Sequence, residues 1–144
     1  MIGDGIPKLT TNNQQPTTNN MKVTIDGQEI EVEAGTTILQ AARMIGGEVV
    51  PPAMCYYSKL KGSGGKCRCC LVDVTKGSDA DPRPMPKLMA SCVTGCQDGM
   101  EIASKASQRG QEARKSVTEF LLINHPLDCP ICDQAGECDL QNLS

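Results

Sequence analysis

The residues of this chain with the most specific chemistry are its nine cysteines and its single histidine. Four cysteines form a C-x11-C-x2-C-x21-C pattern, namely Cys55, Cys67, Cys70 and Cys92. The close pair is the most informative part, because two intervening residues let one turn of backbone carry both sulfurs to the same metal. Gly62, Gly64 and Gly65 precede that pair and permit a close approach of the backbone. The pattern predicts a four-thiolate metal site.

The spacing of this first set leaves two kinds of centre open. A C-x2-C pair with two distant cysteines suits an iron–sulfur cluster, and it equally suits tetrahedral zinc. The first interval is also longer than the four residues that separate the first two ligands of plant-type ferredoxins. If the centre is an iron–sulfur cluster, we therefore expect a relative of those ferredoxins rather than one of them.

A second set of ligands follows near the C-terminus in an H-x3-C-x2-C-x5-C pattern. Its members are His125, Cys129, Cys132 and Cys138. Pro126 and Pro130 stiffen the loop and reduce the entropy lost on assembling a site. Three thiolates and an imidazole also suit zinc, so this set leaves the metal open as well. In an iron–sulfur cluster, one neutral imidazole in place of a thiolate favours a higher reduction potential.

Cys69 and Cys96 fall outside both sets. Cys69 lies inside the C-x2-C turn, where we expect its side chain to point away from the metal. Cys96 comes four residues after Cys92 and is an alternative fourth ligand. The simpler interpretation is that both are ordinary small buried thiols.

Composition excludes several classes of protein. An odd number of cysteines does not fit a closed set of disulfides, and residues 1–20 lack the pattern of a secretory signal. Cysteines in a reducing compartment more often bind metal than form disulfides. No apolar run is long enough to span a bilayer, and a net charge of −3 disfavours nucleic acid as a partner.

The element pattern predicts an α+β domain behind a polar tail at residues 1–20. Residues 23–32 read as a hairpin around an Asp26-Gly27 turn. A capping box, Thr37 to Gln40, begins a helix that Gly46 and Gly47 end. A hairpin followed by a helix begins a β-grasp fold, although many other α+β domains also begin this way.

Shorter elements follow the first helix. We expect an irregular segment at 51–65, strands at 71–74, 89–93 and 100–103, and a Pro- and Asp-rich loop between the first two of these strands. A helix over 107–124 carries an apolar stripe and ends before His125-Pro126. The stripe consists of Ala113, Val117, Phe120 and Leu121.

Two runs of sequence resemble a known family. The run from Glu119 reads EFLLINHPLDCPICDQ and continues to ECDLQ, and the earlier run from Gly65 reads GKCRCCLVDV. Both resemble the G subunits of bacterial NADH:quinone oxidoreductase, respiratory complex I. The resemblance covers residues 21–144 and favours iron over zinc at both sites.

The resemblance implies a β-grasp ferredoxin-type domain over residues 21–106 and a loop-rich His(Cys)3 segment over 107–144. It assigns one [2Fe-2S] cluster to the four-cysteine set, Cys55, Cys67, Cys70 and Cys92. It assigns one [4Fe-4S] cluster to His125, Cys129, Cys132 and Cys138. We expect no catalytic residue in this chain.

The resemblance also implies a function and partners. Such clusters pass single electrons from the NADH and flavin site towards quinone, beside the flavin-bearing subunit of the complex. The expected location is peripheral, on the cytoplasmic side of the inner membrane and without direct membrane insertion. Family members continue past the position of Ser144 with further cluster motifs, and the loop at 71–91 is longer here than in many of them.

Other functions remain open at this point. NAD-linked and iron hydrogenases, and related diaphorases, begin with a similar pair of clusters. A zinc-stabilised interaction module without electron transfer belongs to a different class. An autonomous NADH-oxidising enzyme is disfavoured, because we find no glycine-rich dinucleotide fingerprint after a strand.

Overall fold

The computed structural model describes residues 20–144, so the predicted tail at residues 1–20 lies outside it except for Asn20. The strands are β1 (Asn20–Ile25), β2 (Gln28–Glu33), β3 (Leu71–Lys76), β4 (Met89–Ala90) and β5 (Met100–Ala103). The helices are α1 (Ile38–Ile45), α2 (Gln108–Ile123) and α3 (Asp139–Leu143), with 3-10 turns at Gly47–Val49 and Cys129–Ile131. None of the helices within residues 20–144 has the length and apolarity needed to cross a bilayer.

The five strands form one mixed sheet in the order β2-β1-β5-β3-β4. Strand β1 pairs with β2 in antiparallel and with β5 in parallel orientation, so the first strand lies beside the last. Strand β3 pairs in antiparallel orientation with both β5 and β4. A mixed sheet with few helices confirms the predicted α+β class.

The first hairpin and helix form as the local sequence predicts. Asp26 and Gly27 have φ values of 48° and 81°, as a tight primed hairpin turn requires. Thr37 and Gln40 make both hydrogen bonds of the capping box: the Gln40 amide donates to Thr37 Oγ1 and the Thr37 amide to Gln40 Oε1. Helix α1 ends at Gly46, whose φ is 81°.

The apolar core lies between one face of the sheet and α1, and it contains no buried aromatic side chain among the described residues. Its sheet side comes from Val23, Ile25, Val32, Val72, Val74, Met100 and Ile102, and its helix side from Ile38, Ala41 and Ala42. Leu39 of the same helix belongs to a second, smaller cluster with Cys70, Ala90 and Cys92. Helix α1 therefore supports both the sheet and the first cysteine set.

Helix α2 is attached to the sheet mainly through polar contacts. Ser107 caps its first turn and accepts from the Gly110 amide at 3.0 Å. The Arg114 guanidinium donates to the carbonyl oxygens of Leu71 at 2.7 Å and Ser104 at 3.2 Å. The predicted apolar stripe is only half-buried, and its Phe120 is 68% exposed. The helix bounds agree with the prediction to within a residue.

One predicted strand is shorter than expected. The strand expected at 89–93 ends at Ala90, because the chain turns there: the amides of Val93 and Thr94 both donate to the Ala90 carbonyl. The buried Ser91 hydroxyl donates to the Cys70 carbonyl at 2.8 Å. This turn places Cys92 beside Cys70 instead of continuing the sheet.

The Asp26 carboxylate ties the first hairpin to the end of β5, and its removal gives a first test. It accepts from the amides of Ser104 at 2.7 Å, Lys105 at 2.8 Å and Ala106 at 3.1 Å. Asp26→Ala leaves these donors unpaired, so we expect a loss of about 2–3 kcal/mol in the free energy of unfolding. The thermal midpoint followed by circular dichroism should fall by about 5–10 °C.

Asp26→Asn is the matched control for that substitution. Asparagine tolerates positive φ and keeps one side-chain oxygen as an acceptor, so its midpoint should fall less. An Asp26→Ala chain that unfolds at the wild-type temperature would show that the three hydrogen bonds do not stabilise the fold.

Candidate metal centres

The structure gathers the four cysteines of the first set from three separate segments. Cys55 lies on the irregular segment after α1, Cys67 and Cys70 lie on the loop before β3, and Cys92 lies in the turn after β4. Cys70 and Cys92 are buried, whereas Cys55 and Cys67 are half-buried. Leu39 of α1 packs in the same cluster as the buried pair. Sheet pairing of β3 with β4 therefore joins cysteines that are 22 positions apart in the sequence.

Backbone amides of the glycine-rich loop surround these sulfurs. The Gly65 amide donates to Cys92 Sγ at 3.1 Å, and the Lys66 and Cys67 amides both donate to Cys55 Sγ at 3.3 Å. Such donors stabilise negative charge on sulfur. Two of the four sulfurs, those of Cys55 and Cys92, therefore accept hydrogen bonds from the backbone of the loop.

The pKa values of two thiols of the first site are shifted in opposite directions. Burial would raise the pKa of the Cys67 thiol, but hydrogen bonds from the backbone at Cys69 and Cys55, and from the Cys55 side chain, lower it to about 7. The pKa of Cys92 rises to about 11, chiefly through burial and further through its contact with the Cys70 thiol.

The predicted glycines adopt the conformations that this loop needs. Gly62, Gly64 and Gly65 all have positive φ, at 77°, 100° and 71°. A Cβ on Gly64 would stand 3.2 Å from Cys92 Sγ, whereas a Cβ on Gly62 would meet nothing within 4 Å. Only the middle glycine is therefore required by close packing against a sulfur.

Sequence reasoning missed the conformation of Arg68. This residue stands between the two cysteines of the close pair and has a φ of 65°. A left-handed conformation is uncommon for a residue with a side chain. The residue type does not predict this conformation, because the turn that carries Cys67 and Cys70 requires it.

The two remaining cysteines are both buried. Cys69 is buried with its Sγ 3.6 Å from Met54 Sδ, and burial first of all raises its pKa to about 12. Cys96 belongs to the main core under the sheet, where burial raises its pKa to about 11. Because Cys92 packs with Cys70 and Cys96 does not, the arrangement disfavours Cys96 as the fourth ligand.

The second set surrounds a single cavity of about 400 Å³. Its lining includes all four predicted ligands, His125, Cys129, Cys132 and Cys138, together with apolar side chains such as Leu122 and Leu140. Cys138 is half-buried and the other three ligands are exposed. The side chains of this set therefore face a common space large enough for a group bigger than one ion.

Short turns shape that cavity. His125 follows the end of α2, and its amide donates to the Leu122 carbonyl at 3.1 Å. A 3-10 turn begins at Cys129, the Ala135 amide donates to the Cys132 carbonyl at 3.0 Å, and Gly136 bends the chain with a φ of 87°. Cys138 precedes the first turn of α3. Each ligand stands at the edge of a turn, so the backbone directs the four side chains without a sheet.

The residue types of both donor sets suit iron–sulfur clusters. Thiolates are the usual ligands of such clusters, and an imidazole can replace one of them. Within the described residues 20–144, no three His, Cys, Asp or Glu side chains converge closely enough to share one metal ion. The observed arrangement is a glycine-rich loop whose amides bond Cys55 and Cys92 at the first site, and a cavity lined by all four predicted ligands at the second.

Two family models match successive parts of the chain. Residues 18–107 match the model of the 2Fe-2S iron–sulfur cluster binding domain. Residues 114–144 match the model of the NADH-ubiquinone oxidoreductase-G iron–sulfur binding region. The matches confirm the predicted cofactors, one [2Fe-2S] and one [4Fe-4S] cluster.

Curated relatives carry names that agree with these models. The chain is 50% identical over 124 residues to the mitochondrial NADH-ubiquinone oxidoreductase 78 kDa subunit of Candida albicans. It is 50% identical over 122 residues to the G subunit of the NADH-quinone oxidoreductase of Rickettsia bellii. These alignments cover 86% and 85% of this chain but only 16% of each relative, so the chain spans about one-sixth of their length.

A solved structure resembles the fold as well. It is an NAD+-reducing [NiFe]-hydrogenase in the H2-reduced state, with a TM-score of 0.69 and 30% sequence identity. The similarity covers 85% of this chain and 47% of the hydrogenase chain. Because the first family model matches more than half of the chain, this chain belongs to the 2Fe-2S iron–sulfur cluster binding domain family, and it is related there to the G subunits of NADH-quinone oxidoreductase.

Proposed function

We propose that this chain is the iron–sulfur electron-transfer module of an NADH:quinone oxidoreductase and passes single electrons from the NADH and flavin site towards quinone. The observation that carries the proposal is the placement of both cysteine sets on one chain of about 15 kDa, the first around a glycine-rich loop and the second around one cavity. When bound, each cluster takes up and releases one electron at a time, which is chemistry that protein side chains do not supply.

At the first site the proposed ligands are Cys55, Cys67, Cys70 and Cys92. Together the four cysteines would supply two thiolates for each iron of a binuclear cluster. The amides that donate to Cys55 and Cys92 offset the negative charge of the thiolates and tune the reduction potential. The proposal includes a β-grasp ferredoxin-type domain over residues 21–106, which the β2-β1-β5-β3-β4 sheet and the packing of α1 against its core support.

At the second site the proposed ligands are His125, Cys129, Cys132 and Cys138, within a segment over 107–144. They are the only side chains of metal-ligating type that line the cavity besides Asp128. Pro126 holds the chain outside the helix directly after the histidine, and Gly136 turns it back before the last cysteine. The loop thereby keeps four ligands around one space with few contacts to the sheet.

The proposal includes partners and a location. A chain without a dinucleotide fingerprint needs another subunit to oxidise NADH, and we propose the flavin-bearing subunit of the complex for this role. We further propose that the module sits peripherally on the cytoplasmic side of the inner membrane. The names of the relatives support a place in such a complex.

A second candidate is an electron-transfer module of an NAD-linked hydrogenase or diaphorase. The similarity to the NAD+-reducing hydrogenase favours it. The higher identity to NADH-quinone oxidoreductase subunits, 50% against 30%, favours the first candidate. A zinc-stabilised interaction module is the remaining alternative, because both donor sets also suit zinc.

The dependence on a partner gives the direct test of function. We expect the purified chain with both clusters to show no NADH-dependent dye reduction. With the flavin-bearing subunit added, NADH should reduce the clusters, as followed by loss of their visible absorption. NADH oxidation by the chain alone, or clusters that stay oxidised beside an active flavin subunit, would contradict the proposed role.

The first ligand loop allows a matched pair of substitutions. In Gly64→Ala the new Cβ stands 3.2 Å from Cys92 Sγ and 3.3 Å from Val93 at a φ of 100°. Gly62→Ala has a similar positive φ but open space around it. We expect Gly64→Ala to lose most of the binuclear EPR signal and about two irons per chain, while Gly62→Ala keeps both. Equal iron content in the two variants would argue against a close-packed sulfur at this position.

The imidazole of the second set predicts the outcome of His125→Cys. The cluster should still assemble, because a thiolate is a common ligand for it. Its reduction potential should fall, since an added thiolate makes the cluster one charge more negative. EPR-monitored redox titration measures this shift, with the first cluster of the same sample as an internal reference. Complete loss of the second cluster in His125→Cys would contradict this prediction. It would show that the imidazole has a geometric role that a thiolate cannot replace.

A further inference from the structure

A long loop separates Cys55 from Cys67, the first two proposed ligands of the four-cysteine site. Within it, residues 57–63 form a smaller loop whose two ends are hydrogen-bonded to each other. The Tyr57 amide donates to Ser63 Oγ at 3.0 Å, and the Ser63 hydroxyl donates back to the Tyr57 carbonyl at 2.7 Å. Between them, the Leu60 amide donates to the Tyr57 carbonyl and the Ser63 amide to the Leu60 carbonyl. Residues 57–63 are therefore held at both ends, and the tip at 59–61 is exposed.

The surface around the first site is basic, although the chain as a whole is acidic. Residues 51–72 contain four cations and no carboxylate, and the cations are Lys59, Lys61, Lys66 and Arg68. All four are exposed, and none makes an ion pair within the described part of the chain. The net charge of the whole chain is −3. The positive charge is thus concentrated where the first set of ligands lies.

Exposed apolar side chains lie on the same loop and next to it. Tyr57 is 59% exposed, Leu60 is 63% exposed and Val93 is 56% exposed. Val93 adjoins the loop, because its Cγ1 lies 3.3 Å from the position of a Cβ on Gly64. An aromatic and aliphatic centre with a charged rim is the usual composition of a protein–protein interface.

The second site has the opposite charge. Residues 125–144 contain four exposed carboxylates and no lysine or arginine, and the carboxylates are Asp128, Asp133, Glu137 and Asp139. The two sites therefore offer oppositely charged surfaces to partners. A negatively charged partner is attracted to the first site even though the net charge of the chain repels it.

We propose that the basic surface formed by Tyr57, Lys59, Leu60, Lys61, Lys66, Arg68 and Val93 docks the acidic face of the electron-carrying protein that exchanges electrons with the first site. The inference rests on the proposed function and names the chemistry of one partner. Charge complementarity steers such partners into contact and sets the rate of encounter. The apolar centre then excludes water where the two proteins meet.

The test uses the full chain with both clusters and two protein probes of opposite charge. The acidic probe is oxidised plastocyanin, a blue-copper protein, and the basic probe is oxidised cytochrome c. One electron passes from the reduced chain to Cu(II) or to haem Fe(III), giving Cu(I) or Fe(II). Stopped-flow absorbance follows each acceptor in low and high salt.

Charge reversal at the loop tip is the decisive change. The Lys59→Glu/Lys61→Glu double variant should reduce plastocyanin about tenfold more slowly in low salt. The difference should vanish near 1 M salt, where the screening length is only about 3 Å. Reduction of cytochrome c should not slow. Lys61→Glu and Lys87→Glu form a matched pair, because Lys87 is also exposed and lies on the loop before β4. Only Lys61→Glu should slow the reaction with plastocyanin.

A binding measurement complements the rates. Reduced plastocyanin added to the oxidised chain transfers no electron, and it should shift the amide resonances of residues 57–63 more than those of 125–144. Equal slowing by Lys61→Glu and Lys87→Glu, or shifts confined to residues 125–144, would overturn the docking surface. Absence of the two cluster EPR signals in the starting protein would instead contradict the proposed function, so the two failures are distinguishable.

Discussion

A metal centre at the first site would bring four thiolates close together, where they repel one another, and the backbone around the site reduces that repulsion. Amides of Gly65, Lys66 and Cys67 donate to two of the sulfurs, which lowers the cost of negative charge there. Those amides reach the sulfurs only because the glycine-rich loop adopts positive φ and leaves no side chain between backbone and Cys92. The loop geometry is therefore a consequence of the electrostatics of the site.

The same requirement explains the role of the sheet. Cys70 and Cys92 are buried against Leu39 and Ala90, so their positions depend on the pairing of β3 with β4 and on α1. Strand β3 is in turn joined to β5, and β5 to β1, so the N-terminal hairpin indirectly supports the ligands. The second site depends on turns instead, with α2 leading into it and α3 following its last cysteine. One chain thus uses two different physical means to hold its two ligand sets.

Sequence reasoning predicted the features that local chemistry decides. The Asp26-Gly27 turn, the Thr37 to Gln40 capping box and the helix over 107–124 follow from a few neighbouring residues, and the structure contains all three. Features that depend on distant partners escaped it. The strand at 89–93 is cut short by the turn that delivers Cys92, and the Asp26 carboxylate binds amides almost 80 residues away. The sequence likewise could not show that Cys96 packs under the sheet while Cys92 faces Cys70.

The central prediction is that the two donor sets hold iron–sulfur clusters rather than zinc. Metal analysis combined with reduced-state EPR tests it most directly. The full chain, prepared anaerobically and supplied with iron and sulfide, should bind about six irons and no zinc, as one binuclear and one tetranuclear cluster require. Two EPR signals are expected, one of which persists at higher temperature as binuclear clusters do. Stoichiometric zinc without an EPR signal would contradict the account and leave the chain as a metal-stabilised interaction module.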